Sequence, residues 1–163
     1  MDEISPLDES DYSFIAQHLD DWWGGRQMAA MLPRLWFKDF SEHSLVIRDE
    51  SGQPKAFLVG YISNQDSSKG YVHFIGVNPK QRNSGLGSKL YEEFATKLKL
   101  HGVSRIEAVT SPMNSNSLKF HERLGFMAIQ IDGSLEKPTK SSFFTDYDGP
   151  GEDRVLLVKS LKD

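Results

Sequence analysis

The sequence contains no cysteine and no long apolar run, and both absences narrow what the protein can be. Without a thiol, the chain cannot form disulfides, thiolate metal sites or an acyl-cysteine intermediate. No stretch approaches the ~18 consecutive apolar residues of a membrane-spanning helix, and the acidic first residues lack the basic and apolar regions of a signal peptide. At 163 residues, the chain is long enough for one domain to bury a core without covalent or metal staples. We therefore expect a single cytoplasmic domain with no membrane partner.

An excess of basic residues is also missing. The chain has 19 Lys and Arg against 23 Asp and Glu, which argues against nucleic acid as a partner because phosphate backbones require a basic surface. Only residues 71–128 carry more cations than anions, eight against four. This local excess fits either a solvated face or the binding of a small anionic ligand by the middle of the chain, with a cationic partner near the acidic flanks.

Metal ligands are not spaced as a site would require. No His and carboxylate cluster has ligand spacing, so we expect no metal. The acidic run from Asp146 to Asp153 superficially resembles a calcium loop, but its twelfth position is Leu157 rather than Glu. We interpret this run as a loop before the last strand, with a smaller chance that its carboxylates reach a substrate pocket.

The order of the predicted elements indicates the fold class. Apolar spacing predicts helices over 8–19, 27–37, 86–98 and 114–124, and Pro33 marks a kink or a boundary in the second of them. Short β-branched or aromatic runs predict strands over 44–48, 56–62, 71–77, 103–110, 126–131 and 154–158. The first three strands form an antiparallel meander, and strands then alternate with helices. This order predicts an α/β (α+β) domain with a mixed, mostly antiparallel sheet of about six to seven strands, flanked by about four helices.

One loop carries the strongest functional signal. Between the third predicted strand and the third predicted helix lies Gln81-Arg82-Asn83-Ser84-Gly85-Leu86-Gly87-Ser88. The first turn of a helix leaves four backbone N–H groups unpaired and carries about half a positive charge, so glycines there let a phosphate approach the amides. A tight strand-to-helix turn would use the same glycines. The Walker pattern and the dinucleotide fingerprint are excluded, because no Gly-Lys-Ser/Thr follows and Leu90 occupies the place of the third glycine.

Two ordered motifs make the sequence resemble the GNAT acyltransferase superfamily. The family loop Gln/Arg-x-x-Gly-x-Gly/Ala matches residues 82–87, and residues 114–126 are similar to a later motif with an Asn, a small residue three positions on and a closing Gly-Phe. The resemblance implies the GNAT fold and an acetyl-CoA-dependent N-acetyltransferase, in which a primary amine attacks the thioester directly through a tetrahedral intermediate. The acceptor would be a small molecule or a peptide, and the enzyme a monomer or homodimer. The alternative is a non-catalytic acyl-CoA-binding sensor or interaction module.

The resemblance also assigns cofactor-binding residues. In this family the loop binds the pyrophosphate of coenzyme A, mainly through backbone amides, and the preceding strand pairs with the pantetheine arm like an added strand. The Asn of the later motif contacts the arm. The corresponding residues are Phe74, Ile75, Val77, Arg82, Ser84, Gly85, Leu86, Gly87, Ser88 and Asn114.

Three residues are candidates for proton transfer. His121 occupies the position of the family's usual Tyr acid, and is either the acid that protonates the departing thiolate or a structural histidine of a short helix. His73 lies on the cofactor strand where many members carry a Glu, and is either the base or an imidazole packed on one face of the strand. Tyr147, in the loop before the last strand, is the second candidate for the acid.

The acceptor side is predicted from the connection between the first two helices. Trp22 and Trp23 are adjacent and followed by two glycines, which fits an aromatic lid over the acceptor or a tryptophan that fills the core. Arg26 is available for a carboxylate on the acceptor. An aromatic-capped pocket favours a compact acceptor over an extended peptide.

Overall fold

A nine-stranded sheet organises the structure, a computed structural model that describes residues 2–162. The strands are β1 (Ile4–Pro6), β2 (Leu45–Arg48), β3 (Pro54–Ile62), β4 (Lys69–Val77), β5 (Arg105–Thr110), β6 (Met127–Ile129), β7 (Leu135–Glu136), β8 (Phe143–Phe144) and β9 (Arg154–Ser160). Their order is β1-β2-β3-β4-β5-β9-β6-β7, and β8 pairs with β9. Of the pairs between described strands, only β4 with β5 is parallel. The predicted mixed, mostly antiparallel sheet is confirmed, and three strands of two or three residues are added to it.

Four α-helices accompany the sheet, as predicted, but one of them differs from its predicted form. They are α1 (Tyr12–Trp22), α2 (Leu35–Lys38), α3 (Leu86–Lys99) and α4 (Ser115–Arg123). The helix predicted over 27–37 is wrong in its extent, whereas the boundary predicted at Pro33 is confirmed: a 3-10 turn, Ala29–Met31, precedes the four-residue α2. Pro33 separates them, because proline disfavours helical geometry at the residue before it, and Leu32 accordingly has φ −133° and ψ 65°.

The core has two layers, one on each face of the sheet. Along β2 and β3, successive side chains alternate between the layers. One layer packs β2, β3 and β5 against the apolar stripe of α3 (Leu86, Leu90, Phe94 and Leu98). The other packs Val46, Phe57 and Val59 against α1 and the buried Phe37. The fold therefore places α3 and α4 on one face of the sheet and α1 and α2 on the other.

The parallel pair opens partway along its length. Pairing between β4 and β5 runs from Lys69 opposite Arg105 to Val72 opposite Ala108 and then stops, whereas β5 remains paired with β9 as far as Thr110. The second half of β4, residues 73–77, consequently has a free backbone edge on the side that faces β5. An extended ligand could add to such an edge as a further strand.

A β-bulge marks the start of the free edge. On β3, the neighbours Val59 and Gly60 pair with Phe74 and Val72, so His73 is the extra residue on β4. The bulge reverses the alternation of side chains. Val72 lies in the α3 layer, while Phe74, two residues later, lies in the α1 layer.

Candidate active site

A cavity of about 690 Å³ occupies the opening between β4 and β5. One wall is β4 from Tyr71 to Ile75, and another is the end of β5 with the segment that leads into α4. The floor includes Tyr91 and His121, and the rim comes from the connection after α1 and from the loop before β9. The free edge of β4 thus runs along a cleft that chemical groups from four parts of the chain surround.

At the far end of β4, the glycine loop leads into the N-terminus of α3. Gly85 has φ +81°, a left-handed conformation that glycine adopts without strain, and Asn83 also has a positive φ of 66°. The first intrahelical bond joins the Lys89 N–H to the Gly85 carbonyl, which leaves the amides of Leu86, Gly87 and Ser88 without helical acceptors. This turn has the geometry of an anion site at the N-terminus of a 14-residue helix.

Two side chains of this loop donate hydrogen bonds to backbone carbonyls of the protein itself. The Ser84 hydroxyl donates to the Gln81 carbonyl, and the Arg82 guanidinium donates to the carbonyl of Trp22 at the end of α1. Gly87 is buried, and a Cβ there would come within 2.9 Å of the Phe120 ring, so this glycine lets α3 and α4 approach closely. An anion at this turn would therefore meet mainly backbone amides, as the sequence predicts.

The three strand residues predicted to flank the cofactor lie on different faces of the sheet. Phe74 is buried in the α1 layer, and Ile75 and Val77 pack on the α3 layer. Only Phe74 and Ile75 border the cavity. Their role in the prediction depends on backbone groups rather than side chains, and the free edge supplies those groups.

Asn114 lies at the beginning of α4 on the cavity wall. Its side-chain oxygen accepts from the Ser117 N–H at 3.1 Å and caps the helix. This bond fixes the orientation of the amide group. Its NH₂ group remains available to a ligand in the cavity.

His121 and Tyr91 form a buried pair beneath the cavity. The His121 Nδ1 lies 2.8 Å from the Ser117 carbonyl, which can only accept, so Nδ1 carries the hydrogen and Nε2 accepts from the Tyr91 hydroxyl at 2.8 Å. Burial lowers the pKa of His121 and raises that of Tyr91. Both groups are therefore neutral near pH 7, and His121 must gain a proton before it can act as an acid. The sequence analysis missed Tyr91, which lies next to Leu90 and is buried in the same core layer as the apolar stripe of α3.

His73, the bulged residue, lies on the cavity wall with a defined tautomer. Its Nε2 donates to the Met31 carbonyl at 2.8 Å, which leaves Nδ1 as an acceptor. The imidazole stacks on Trp36 with ring centroids 4.4 Å apart. Burial lowers its pKa, against smaller opposing effects of the Met31 carbonyl and the Asp148 charge. A neutral imidazole with a free nitrogen has the form of a general base.

The two adjacent tryptophans lie in different environments. Trp22 is 5% exposed, belongs to the α1 layer beside Phe57 and does not border the cavity. Trp23 borders the cavity and meets the Phe74 ring edge-on at 5.5 Å. Arg26 also borders the cavity and forms no ion pair with any residue from 2 to 162. The position of Trp22 is that of a core tryptophan, and the position of Trp23 is that of a pocket wall.

The loop before β9 brings charge to the rim. Asp148 and Glu152 pair with the Arg154 guanidinium at 2.9 and 3.0 Å, and these three residues border the cavity together with Asp153 and Lys140. Tyr147 is 49% exposed, lies beside Phe144 and does not border the cavity. The acidic run in the sequence was the available signal for this part of the site.

The part of the chain that the structure describes contains neither a metal-binding cluster nor a membrane-spanning helix. Among residues 2–162, no three His, Asp or Glu side chains are grouped so as to hold a metal ion. No helix in the same range has both the length and the apolar composition needed to cross a membrane.

A free strand edge that leads to unpaired amides at a helix N-terminus fits an extended, phosphate-bearing ligand, and His73 and His121 line the cavity beside that edge. The family model for the acetyltransferase (GNAT) family matches residues 6–126. An L-2,4-diaminobutyric acid acetyltransferase from Streptomyces coelicolor is 30% identical over 127 residues, which cover 75% of this chain and 71% of that protein. The chain belongs to the GNAT acetyltransferase family and is an acetyl-CoA-dependent N-acetyltransferase, which decides against the non-catalytic alternative.

Solved structures agree on the fold. The ribosomal-protein-S18-alanine N-acetyltransferase from Escherichia coli superposes with a TM-score of 0.67 at 20% identity, over 100% of this chain and 96% of that one. The yncA protein from Salmonella typhimurium, solved with its cofactor acetyl-CoA, superposes with a TM-score of 0.70 at 16% identity, over 100% and 95%. At 20% and 16% identity these likenesses show the fold alone and do not define the acceptor of this chain.

Proposed function

We propose that this acetyltransferase acts on a compact acceptor that carries both a primary amine and a carboxylate, as L-2,4-diaminobutyric acid does. The observation that carries the proposal is the composition of the rim, where carboxylates of Asp148, Glu152 and Asp153 lie on the same cavity as the cations of Arg26, Lys140 and Arg154. A zwitterion requires partners of both signs. The name of the Streptomyces coelicolor relative supports the same class of acceptor.

The donor would lie along β4. The pantetheine arm would pair with the free edge of residues 73–77, and the pyrophosphate would accept from the amides of Leu86, Gly87 and Ser88. Ser84, Gly85 and Arg82 shape this turn. The Asn114 amide would donate to the arm from the opposite wall. Acetyl-CoA supplies an activated acetyl thioester between these two sides of the cleft.

Proton removal is assigned to His73. The acceptor amine arrives as an ammonium, which must lose a proton before its nitrogen can attack a carbonyl carbon. Nδ1 of His73 is the free acceptor on the cavity wall, and the Met31 carbonyl and the Trp36 ring hold the imidazole in place. Transfer occurs directly or through one water. Asp148 lies close enough to attract an ammonium toward the same place.

Proton return to the departing sulfur is assigned to His121. The role requires that Nε2 gain a proton, which the hydrogen bond from Tyr91 permits after the tyrosine hydroxyl rotates. Burial opposes that protonation, so the acid form is favoured by low pH. Tyr147 lies outside the cavity wall and is the weaker candidate.

A comparison of four amines tests the acceptor class. The enzyme and acetyl-CoA are incubated separately with L-2,4-diaminobutyrate, 1,3-diaminopropane, L-2-aminobutyrate and a short peptide with a free N-terminus, and acetylated products are quantified by mass spectrometry. We expect the highest kcat/KM with diaminobutyrate and a loss when its carboxylate is missing. Preference for the peptide would contradict a compact acceptor, and equal use of 1,3-diaminopropane would show that the rim does not select a carboxylate.

A further inference from the structure

One side chain joins the donor side of the site to the acceptor side. Arg82 lies two residues before Ser84 in the glycine loop, and its guanidinium donates to the carbonyl of Trp22, sixty positions earlier in the chain. Trp22 is the last residue of α1, where backbone carbonyls have no intrahelical donor. A cation at a helix C-terminus is also favoured by the helix dipole. The contact therefore has a physical basis at both of its ends.

Beyond Trp22, the chain forms a clamped loop over the donor strand. We name residues 23–28 the acceptor loop. Its base is held by Asp20, whose carboxylate accepts from the N–H groups of Met28 and Ala29 at 2.7 and 2.9 Å. Gly24 and Gly25 both have positive φ and make the turn. The acceptor loop contributes Trp23, Arg26 and Met28 to the cavity wall, so its position sets the width of the acceptor side.

The acceptor loop rests directly on β4. The Trp23 ring lies across Phe74, and a Cβ added at Gly76 would come within 3.2 Å of Trp23 Cη2. The indole is therefore in contact with the strand whose free edge would hold the donor. A shift of the Trp22 carbonyl, which Arg82 holds, would also move Trp23, the next residue in the chain.

We propose that Arg82 is a positioning residue that couples pyrophosphate binding at the glycine loop to the placement of Trp23 and Arg26. Arg82 is exposed and has five N–H donors, of which the Trp22 carbonyl uses one. A pyrophosphate at residues 84–88 attracts the guanidinium and holds it, and the guanidinium in turn holds the end of α1. Donor binding thereby strengthens acceptor binding, and by reciprocity acceptor binding strengthens donor binding by the same factor. The inference rests on the proposed placement of the donor.

Tryptophan fluorescence detects the coupling without any acceptor. The chain has three tryptophans, and Trp36→Phe leaves only Trp22 and Trp23 as reporters. In this background, we expect coenzyme A to change the emission, and Arg82→Gln to abolish the change although calorimetry shows that coenzyme A still binds. Arg82→Lys, which keeps a charged donor, should restore part of it. Lys80→Gln is the matched control, since Lys80 is an exposed cation in the preceding turn.

Steady-state kinetics supply the second measurement. With L-2,4-diaminobutyrate as acceptor, Arg82→Gln should raise the acceptor KM about fivefold or more at saturating acetyl-CoA, with a smaller change in kcat. An Arg82→Gln protein that keeps both the emission change and the acceptor KM would overturn the coupling. If calorimetry shows that coenzyme A binds the Trp36→Phe protein and the emission is nevertheless unchanged, the donor does not act on the end of α1 and the coupling is overturned. Failure of diaminobutyrate to react bears only on the proposed acceptor, because the fluorescence measurement does not use it.

Discussion

The Tyr91 hydroxyl and the Nε2 of His121 are 2.8 Å apart and join α3 to α4 beneath the cavity. Because the Ser117 carbonyl fixes the hydrogen on Nδ1, the bond runs from the tyrosine to the imidazole. Every buried side-chain nitrogen and oxygen of residues 2–162 has a hydrogen-bond partner. The bond from Tyr91 supplies the partner of the His121 Nε2. The pair links the two helices, and the acid role proposed for His121 depends on this bond.

Removing the tyrosine hydroxyl tests the structural link. Tyr91→Phe leaves a buried imidazole nitrogen without a donor, which should lower the free energy of unfolding by about 1–3 kcal/mol. Denaturant unfolding measures the loss. Tyr12→Phe is the control, because the Tyr12 hydroxyl makes no hydrogen bond within residues 2–162. The Tyr12→Phe substitution should therefore change stability much less. Equal stability of the two variants would show that Tyr91 does not satisfy His121.

The two histidines predict opposite effects of pH on the rate. As a base, His73 must be neutral, and burial lowers its pKa, so its limb of the kcat/KM profile should rise with pH below about 6.5, the ordinary pKa of a histidine. His121 acts as an acid only when protonated, so its limb falls as pH rises over the same range. We expect His73→Ala to remove the rising limb and His121→Ala to remove the falling one. A profile that keeps its rising limb in His73→Ala would transfer the base role to another group.

Stability should depend on pH through the same buried imidazoles. The pKa values of His121, His73 and His43 are lowered in the folded chain, in each case chiefly by burial. The unfolded chain therefore takes up more protons as pH falls below about 6.5, and the stability present above that pH is progressively lost. Thermal unfolding between pH 8 and pH 5 measures the slope. His121→Gln should flatten it.

The adjacent tryptophans should respond differently to truncation. Trp22→Ala opens the α1 layer and should cost about 3–5 kcal/mol of stability. Trp23→Ala removes a cavity wall and should raise the acceptor KM about tenfold, or about 1.4 kcal/mol, with a smaller loss of stability. Unfolding and kinetics are measured on both variants. A Trp22→Ala protein with wild-type stability would contradict the core assignment.

The rim carboxylate should affect the acceptor more than the donor. Asp148→Asn removes a charge near the His73 imidazole, and we expect the acceptor KM to rise about tenfold while the acetyl-CoA KM changes little. Glu50→Gln, on an exposed turn, is the charge-matched control. If both variants behave alike, Asp148 has no role in the recognition of an ammonium.

Local patterns in the sequence were sufficient for much of the fold and for the glycine turn that precedes α3. The four-residue spacing of Leu86, Leu90, Phe94 and Leu98 predicts α3, whose stripe is buried as expected. Gly85 precedes that helix in the left-handed conformation that only glycine adopts freely. The break in the helix predicted over 27–37 also has a local cause, because Pro33 lies at the boundary between the 3-10 turn and α2.

The bulge on β4 shows where alternation fails as a guide. Val72 and Phe74 are two residues apart and would share a face of a regular strand, yet the extra residue His73 puts them on opposite faces. Pairing with Val59 and Gly60 of the neighbouring strand produces this shift. The residues of β4 alone do not predict the bulge, because a bulge depends on the pairing of two strands.

The sequence by itself was sufficient for the family of this protein, since the two motifs that resemble the GNAT superfamily, residues 82–87 and 114–126, are each runs of neighbouring residues. The tertiary structure alone decided the neighbours of each reactive group. Tyr91 meets His121 across thirty positions, Arg82 meets Trp22 across sixty, and the loop around Asp148 folds back onto the strand that carries His73. These contacts depend on how helices and loops pack on an open sheet, and the burial that lowers the pKa of both histidines exists only after that packing is complete.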